Sequence, residues 1–297
     1  IINKMLNDIE IRNYWKNDYK ILKNIYSTEQ VARFRNIIKK EVTKDLGDES
    51  RYYQFLEQKH LKDVLSYSGL EEVILNEKLI NALNGILDKQ VVYWGYSSFR
   101  WNEKAYRSFH NDAKNDIECP FTTKYPLLRV GVYLQDHSAF SNGLKIWKGS
   151  CNTLKYGRTL LKKIFFEKGT LKYLLPQQLY SSINVELEPG DAVIWNLRTC
   201  HSGMPIRVKY FKKISFHPII ENFIEKFFPK LIIRSDVERA VLFSTFGTES
   251  KALENYINYN LKHPETKNTL SNSTFLNNNL IKEKSEKLGL KLIDILK

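Results

Sequence analysis

Ser108-Phe109-His110-Asn111-Asp112 is the stretch from which the fold can be predicted, together with Thr199-Cys200-His201-Ser202-Gly203 further along the chain. On a β-strand, His110 and Asp112 would project from the same face, because side chains alternate with a period of two. His201 would come from a different strand. Two imidazoles and one carboxylate form the facial triad that binds Fe(II) and leaves coordination positions open. The three residues therefore predict one metal site shared by two strands.

The alternative is that His110 and His201 are core histidines with satisfied hydrogen bonds, and that Arg207 is a surface charge. Spacing alone does not separate the two interpretations, because a His-x-Asp often arises by chance. The context favours a site, since both stretches lie in or beside strand-like runs of one mostly β segment.

The composition is that of a globular protein. The chain has 297 residues, of which 42% are hydrophobic and 27% charged, and a formal net charge of +13. A basic chain can bind nucleic acid, an anionic membrane surface or an anionic substrate. The lysines are spread along the chain and no nucleic-acid-binding motif is present, so we expect no nucleic-acid partner.

The three cysteines, Cys119, Cys151 and Cys200, match neither a disulfide framework nor a zinc site. Their number and spacing predict a reducing, cytoplasmic setting. No apolar run approaches the length of a membrane span, so no transmembrane segment is expected, and the first residues do not resemble a signal peptide.

Periodicity predicts helices at both ends of the chain and strands between them. Ser27 and Gln30 form a capping-box pattern before an amphipathic helix. Further helices are predicted at 70–87, 236–243, 250–261 and 281–296, with a surface loop or linker at 269–279. Strands are predicted at 91–101, 127–134, 144–147, 183–187, 192–195 and 213–217, with a basic insertion at 154–180 that would contact substrate. This order predicts a β-barrel or sandwich core with helices packed outside it.

Several motifs together resemble the phytanoyl-CoA dioxygenase family of Fe(II)/2-oxoglutarate oxygenases, over roughly residues 70–218. The matching residues are His110-x-Asp112, Tyr133-Leu134-Gln135-Asp136-His137, Asn142-Gly143-Leu144, Lys148-Gly149-Ser150, Pro189-Gly190-Asp191-Ala192-Val193 and His201-Ser202-Gly203. Cys151 stands where the family usually has a histidine that is not a metal ligand.

The resemblance implies a mainly β fold with flanking helices (α+β), whose core is a double-stranded β-helix, a cupin-like jelly roll with iron inside its open end. The chain would be a single domain over 1–297. It would consist of a helical N-terminal part at 1–90, a β-helix core at about 91–220 and a helical C-terminal extension at 221–297.

The resemblance also implies a cation that anchors 2-oxoglutarate, usually at the beginning of the strand after the second ligand histidine. That register points to Lys212, whereas Arg207, in a predicted turn, is the only arginine close by after His201. Arg207 is slightly preferred, because a guanidinium matches a carboxylate better than an ammonium does. Arg129 is a further candidate anchor.

Asn111 and Ser202 are candidate cosubstrate contacts. His137 and His217 are predicted to be structural, and Cys200 is predicted to point away from the cavity.

The implied activity is that of a dioxygenase that uses Fe(II), 2-oxoglutarate and molecular oxygen to hydroxylate a small-molecule, lipid or sugar-containing substrate. The net positive charge of the chain would also suit an anionic substrate. Because Asp112 keeps the third ligand position, the resemblance implies hydroxylation and not halogenation. The alternative is a non-catalytic jelly-roll or cupin-like binding protein. The basic helix at 281–296 could dock on a membrane or pack against the barrel, with packing preferred, and the C-terminal helices could also support an oligomer.

Overall fold

A computed structural model describes residues 6–43, 62–101, 109–113, 124–135, 143–153, 182–234 and 238–295. The strands are β1 (Tyr19–Leu22), β2 (Val92–Trp101), β3 (Leu127–Tyr133), β4 (Leu144–Trp147), β5 (Ser182–Val185), β6 (Ala192–Asn196), β7 (His201–Gly203), β8 (Arg207–Val208), β9 (Ile232–Ile233), β10 (Ala240–Gly247) and β11 (Lys291–Leu292). The α-helices are α1 (Asp8–Asn17), α2 (Thr28–Thr43), α3 (Glu77–Leu87), α4 (Ser150–Thr153), α5 (Pro218–Phe227), α6 (Lys251–Asn260), α7 (Pro264–Asn272) and α8 (Asn279–Lys287).

Two sheets face each other across the core. The large sheet has the order β1-β6-β3-β10-β2-β11 and the small sheet has the order β5-β4-β7, while β8 and β9 form a separate ribbon. Leu144 and Ile146 of β4 pack in one buried cluster with Val193 and Trp195 of β6. Lys145 lies between two inward-facing residues and therefore projects from the opposite face of the small sheet.

Helices cover the outer face of the large sheet. Phe34 and Ile38 of α2 are fully buried in one cluster with Val130 of β3 and Leu242 of β10. The predicted capping box at the start of α2 is confirmed, because the Ser27 amide donates to Gln30 Oε1 at 2.8 Å and the Gln30 amide donates to Ser27 Oγ at 3.2 Å. Amphipathic helices thus shield one face of the sheet and leave the other for the barrel interior.

The helix predicted at 236–243 is wrong, because β10 (Ala240–Gly247) is a central strand. It pairs with β3 along one edge and β2 along the other, and its successive residues Val241 and Leu242 are buried in separate clusters on the two faces of the sheet. An apolar run buried on both faces lacks the alternation that distinguishes a strand from a buried helix. The large sheet thus takes strands from all three predicted parts of the chain, and the single-domain division stays a prediction.

The strand predicted at 213–217 is also wrong, because this segment forms turns and irregular structure. The short strand after His201 is β8 (Arg207–Val208), so Arg207 lies in a strand and not in a turn. The helix predicted at 70–87 begins only at Glu77, because the Asn76 side chain caps α3 by accepting a hydrogen bond from the Leu79 amide. The helix α1 and the strand β1 were not predicted.

The C-terminal part departs from the prediction in two places. The linker predicted at 269–279 begins inside α7, which extends from Pro264 to Asn272. The helix predicted at 281–296 ends at Lys287, because Gly289 has a φ of 70° and the chain then enters β11. Ile281 of α8 is buried in the main core, which supports packing over membrane docking for this helix. In the described ranges, each helix is too short or too polar to span a bilayer.

The basic insertion predicted at 154–180 lies outside the described residues, as do His137 and Cys119.

Candidate metal centre

The structure brings His110, Asp112 and His201 together. One ligand atom from each residue lies within 4.8 Å of the other two. The two imidazole rings are 4.4 Å apart between centroids, and His201 Nε2 lies 3.8 Å from Asp112 Oδ2. Two nitrogen donors and one carboxylate at this spacing could bind one divalent metal ion from one side.

Backbone hydrogen bonds hold the two ligand-bearing segments in register. His110 and His201 form an antiparallel bridge, in which each amide donates to the other carbonyl at 3.0 and 2.8 Å. The amides of Asp112 and Ala113 both donate to the Leu197 carbonyl, at 3.0 and 3.2 Å. These bonds fix the carboxylate beside the end of β6, only a few residues before His201.

The orientation of His201 is fixed by its surroundings. His201 Nδ1 lies 3.1 Å from the Thr199 carbonyl, which can only accept a hydrogen bond, so Nδ1 carries the proton. The lone pair is then on Nε2, the atom that faces Asp112. The Trp195 ring packs against the His201 ring with centroids 5.4 Å apart. The hydrogen bond to the Thr199 carbonyl thus sets the tautomer that a metal-binding histidine needs.

The other residues predicted near the centre have separate environments. Asn111 is half-buried between the two ligand residues of its segment. Ser202 is buried on β7 and donates to the Gly203 carbonyl at 3.3 Å. Because Ser202 alternates with His201, it projects from the opposite face of the strand.

Cys200 and His217 pack behind the centre. Cys200 lies in a small buried cluster with Phe109 and Trp147. His217 packs edge-on against Phe109, with ring centroids 5.5 Å apart. Burial, reinforced by the charge of Lys145, lowers the pKa of His217 to about 4. A neutral, packed imidazole agrees with the structural role predicted for His217.

The structure separates the two preferred anchors of 2-oxoglutarate. Arg207 is buried, and its Nη1 donates to Glu186 Oε1 at 3.3 Å and to the Lys212 carbonyl at 2.9 Å. Lys212 is exposed. The Arg207 guanidinium is thus already occupied by these two hydrogen bonds.

Arg129 lies closer to the triad. Arg129 Nη1 donates to Thr245 Oγ1 at 2.7 Å, and the guanidinium stacks over the rings of Tyr96 and Phe243 at 5.7 and 5.3 Å. Burial lowers the pKa of Arg129, but the negative charge of Asp112, with smaller contributions from nearby tyrosines, outweighs it, so the net shift is upward. The Arg129 guanidinium is therefore close enough to the triad to be stabilised by the negative charge of Asp112.

Arg239 is a buried residue near the sheet core that the sequence did not predict as part of the site. It is 3% exposed and directly precedes β10, the first strand of the large sheet that follows His201. Burial raises the pKa of Tyr133 to about 12, and Arg239 opposes this shift through its charge and a hydrogen bond to the Tyr133 side chain. Tyr133 and Val241 belong to the cluster between the two sheets. The available signal was an arginine directly before the β-branched and aromatic run 240–243.

A cavity of about 270 Å³ opens beside Arg129, along the edge of β2. The described residues of its lining combine two guanidinium groups and one carboxylate with hydroxyl, amide and aromatic side chains. They are Tyr96, Ser97, Ser98, Arg100, Arg129, Asn260, His263, Glu265, Thr266 and Thr269. Arg129 joins this cavity to the triad, since it lines the first and interacts with Asp112 of the second.

No family model and no curated protein sequence matches the chain. Solved structures do resemble it. HygX from Streptomyces hygroscopicus, with nickel and 2-oxoglutarate bound, has a TM-score of 0.54 at 13% identity and covers 82% of this chain and 88% of its own. The epimerase SnoN, in complex with Fe3+, alpha ketoglutarate and nogalamycin RO, has a TM-score of 0.52 at 14% identity, covering 81% and 83%. EctD from S. alaskensis in its apoform has a TM-score of 0.52 at 11% identity, covering 82% and 77%.

These similarities identify the fold of the chain. It is the double-stranded β-helix of the non-haem oxygenases, a jelly-roll core with flanking helices, and this confirms the predicted fold class.

Proposed function

We propose that the chain is an Fe(II)- and 2-oxoglutarate-dependent dioxygenase, similar to the phytanoyl-CoA dioxygenase family, that hydroxylates a small-molecule, lipid or sugar-containing substrate. The observation that carries the proposal is the convergence of His110, Asp112 and His201 within 4.8 Å inside this fold. HygX and SnoN, which share the fold, are recorded with a metal ion and the 2-oxo acid bound. The donor set suits iron, because imidazole and carboxylate ligands on one side leave positions for cosubstrate and oxygen.

His110, Asp112 and His201 would hold the metal ion in this proposal. When bound, Fe(II) and 2-oxoglutarate would supply the oxidant that puts one oxygen atom from dioxygen into a C–H bond, while 2-oxoglutarate is converted to succinate and carbon dioxide. The chain positions the ligands: the Leu197 carbonyl restrains the Asp112 backbone, and the Thr199 carbonyl holds the proton of His201 on Nδ1. Because Asp112 occupies the third ligand position, hydroxylation is expected and chloride incorporation is not.

We assign the anchor of the distal 2-oxoglutarate carboxylate to Arg239 in preference to Arg207 and Lys212. The family position is the beginning of the strand after the second ligand histidine. Strands β8 and β9 form a separate ribbon, so the first strand of the two facing sheets that follows His201 and β7 is β10. Arg239 is buried beside Tyr133, and a charge-assisted hydrogen bond to a carboxylate is strong in such a setting. Arg207 already contacts Glu186 and the Lys212 carbonyl. Asn111 remains a proposed contact of the cosubstrate region, whereas Ser202, which projects from the face of β7 opposite His201, does not support such a contact.

The cavity beside Arg129 supports an anionic substrate. Among the described lining residues, Arg100 and Arg129 outnumber the one carboxylate, that of Glu265, and this charge balance favours a negative group. A reducing, cytoplasmic setting stays part of the proposal, because the number and spacing of the three cysteines match no disulfide framework.

A non-catalytic binding protein with the same fold is the second candidate. It would bind ligand in the cavity without consuming 2-oxoglutarate. The buried tautomer-setting contact of His201 favours the enzyme, because a metal-free binding protein gains nothing from an oriented Nε2 lone pair.

The test is succinate formation from 2-oxoglutarate with Fe(II), together with Mn(II) affinity measured by calorimetry. His201→Ala and Asp112→Ala should abolish both, whereas Glu286→Gln, which removes an exposed carboxylate on α8, should leave both unchanged. Metal binding that is indifferent to both triad variants would overturn the proposal. Tight metal binding without any succinate, at every tested concentration, would favour the binding protein.

A further inference from the structure

Large apolar side chains are exposed over one short part of the chain. Tyr210 is 79% exposed, and Phe211, Ile214, Phe223, Phe227 and Phe228 are between 47% and 56% exposed. In the part of the chain that the structure describes, the other exposed large hydrophobic residues are Ile9 and Leu280, which lie outside residues 210–228. We call the six residues the aromatic surface. Scattered exposed apolar residues need no explanation, but a concentration of this kind indicates an interaction site.

The aromatic surface is built on one ribbon and one helix. Strand β8 pairs with β9, and the Lys209 amide donates to the Leu231 carbonyl at 2.9 Å directly beyond that pairing. Tyr210 therefore leaves the ribbon at the end where Phe228 approaches it. On α5, the Phe223 ring lies 4.8 Å from Phe227 and 6.0 Å from Phe228 between centroids.

The inner side of the same helix is fixed to the protein. Glu221 of α5 forms a fully buried ion pair with Lys145 of β4. Ile224 packs against the small cluster formed by Ile206, Val208 and Ile232. The helix is thus anchored through one face, so the exposure of Phe223 and Phe227 on the other face is imposed by the fold.

Basic residues are interleaved in the sequence with the residues of the aromatic surface, and Lys226 Nζ lies 5.4 Å from the centroid of the Phe227 ring. The exposed cations of this segment are Lys209, Lys212, Lys213, Lys226, Lys230 and Arg234. Glu225 contacts Arg234 at 3.9 Å and Glu221 is buried with Lys145, so positive charge dominates the exposed face. Aromatic rings that enter the interface, ringed by lysines that meet anionic headgroups, are the pattern of a membrane-surface site.

We propose that the aromatic surface docks on an anionic lipid bilayer without crossing it. The charge complementarity carries the choice of partner. A second copy of this chain would bring six like charges against six, in a protein whose net charge is +13. A bilayer with anionic headgroups accepts both the rings and the cations. The inference is independent of the proposed function, because it uses neither the triad nor the cavity.

The test is co-sedimentation of the full chain with vesicles of phosphatidylcholine alone, or of phosphatidylcholine mixed with phosphatidylglycerol. The parent should bind the anionic vesicles and be released by about 1 M salt, since screening then acts within a few ångströms. The variant Phe223→Ser/Phe227→Ser/Phe228→Ser should bind at least about tenfold more weakly, because three large apolar groups are lost. The matched control, Ile9→Ser/Leu280→Ser, removes the exposed apolar residues outside the surface and should bind like the parent.

A charge pair of variants separates the surface from the net charge. Lys226→Gln/Lys230→Gln should weaken anionic-vesicle binding about tenfold or more, since each cation adds attraction near the surface. Lys282→Gln/Lys284→Gln on α8 lowers the net charge equally and should have a much smaller effect. Equal losses from both pairs, no binding by the parent, or phenylalanine variants that bind like the parent would overturn the proposal. So would a concentration-dependent dimer in light scattering that the phenylalanine variant converts to a monomer.

Discussion

Replacing Arg239 by glutamine should weaken 2-oxoglutarate binding by about 30-fold to several thousand-fold. Arg239 is 3% exposed, so water cannot replace the lost guanidinium at the carboxylate. Removing one partner of a buried, hydrogen-bonded charge pair costs about 2–5 kcal/mol, and each 1.4 kcal/mol is a factor of ten in the dissociation constant. Arg239→Lys should lie at the lower end, because it keeps the charge but loses the two-pronged hydrogen bond.

The assay is calorimetric titration of 2-oxoglutarate into protein saturated with Mn(II), with the thermal midpoint of each variant as a check of folding. Arg207→Gln is the matched control, since Arg207 is also a buried arginine, and Lys212→Gln is the exposed control. Both should bind 2-oxoglutarate within about threefold of the parent, in the range that distant substitutions cause. A folded Arg239→Gln that binds like the parent, or an Arg207→Gln that loses affinity instead, would refute the assignment.

Two further predictions concern stability and are read by urea unfolding. Glu221→Gln should lower the free energy of unfolding by about 3–5 kcal/mol, because it leaves the fully buried Lys145 charge without its counter-ion. The double variant Lys145→Met/Glu221→Leu should recover most of this loss, and a double variant no better than the single one would contradict the reasoning. Burial, partly offset by a hydrogen bond from the Cys151 amide, raises the pKa of Asp18 to about 7. The native state then keeps a proton that the unfolded chain releases near pH 4, so this contribution to stability is complete below pH 4 and decreases by up to about 4 kcal/mol as the pH rises to 7. Asp18→Asn should remove that part of the pH dependence, and unchanged slopes would contradict it.

The closeness of His110 and Asp112 could be predicted from the sequence, because residues two apart on an extended chain project to the same side. The predicted strand itself is absent: His110 forms an isolated antiparallel bridge with His201, and Asp112 lies in a bend whose amide donates to the Leu197 carbonyl. The length and apolar character of the runs around β2, β3 and β4 likewise identified strands to within a residue. Nothing local, however, relates His201 to Asp112, so their meeting was predicted only from the donor set of a facial triad and from the family resemblance.

The proposed anchor, Arg239, could not be predicted in the same way, because the strand that follows it was predicted to be a helix. The run 240–243 is apolar on both faces, because Val241 packs between the two sheets and Leu242 packs against the covering helices. Periodicity cannot distinguish such a run from a buried helix. Because the prediction lacked β10, the short alternation around Ile214 was predicted to be the next strand after His201. The candidate cations were therefore taken from the residues before that run, Arg207 and Lys212.

The segment between His201 and Arg239 explains how a long separation in sequence leaves the barrel intact. Arg207 pairs with Ile233 in the β8–β9 ribbon, so the segment leaves and returns at neighbouring points. An insertion whose ends are close together adds little strain to the sheet that carries it. The exposed rings of Phe223 and Phe227 lie within this segment, whereas Arg239 begins only where the sheet resumes. Substitutions at the two places should therefore act independently: the phenylalanine variants should bind 2-oxoglutarate like the parent, and the Arg239 variants should bind vesicles like the parent. Loss of both activities from either substitution would show that the segment and the barrel unfold as one unit.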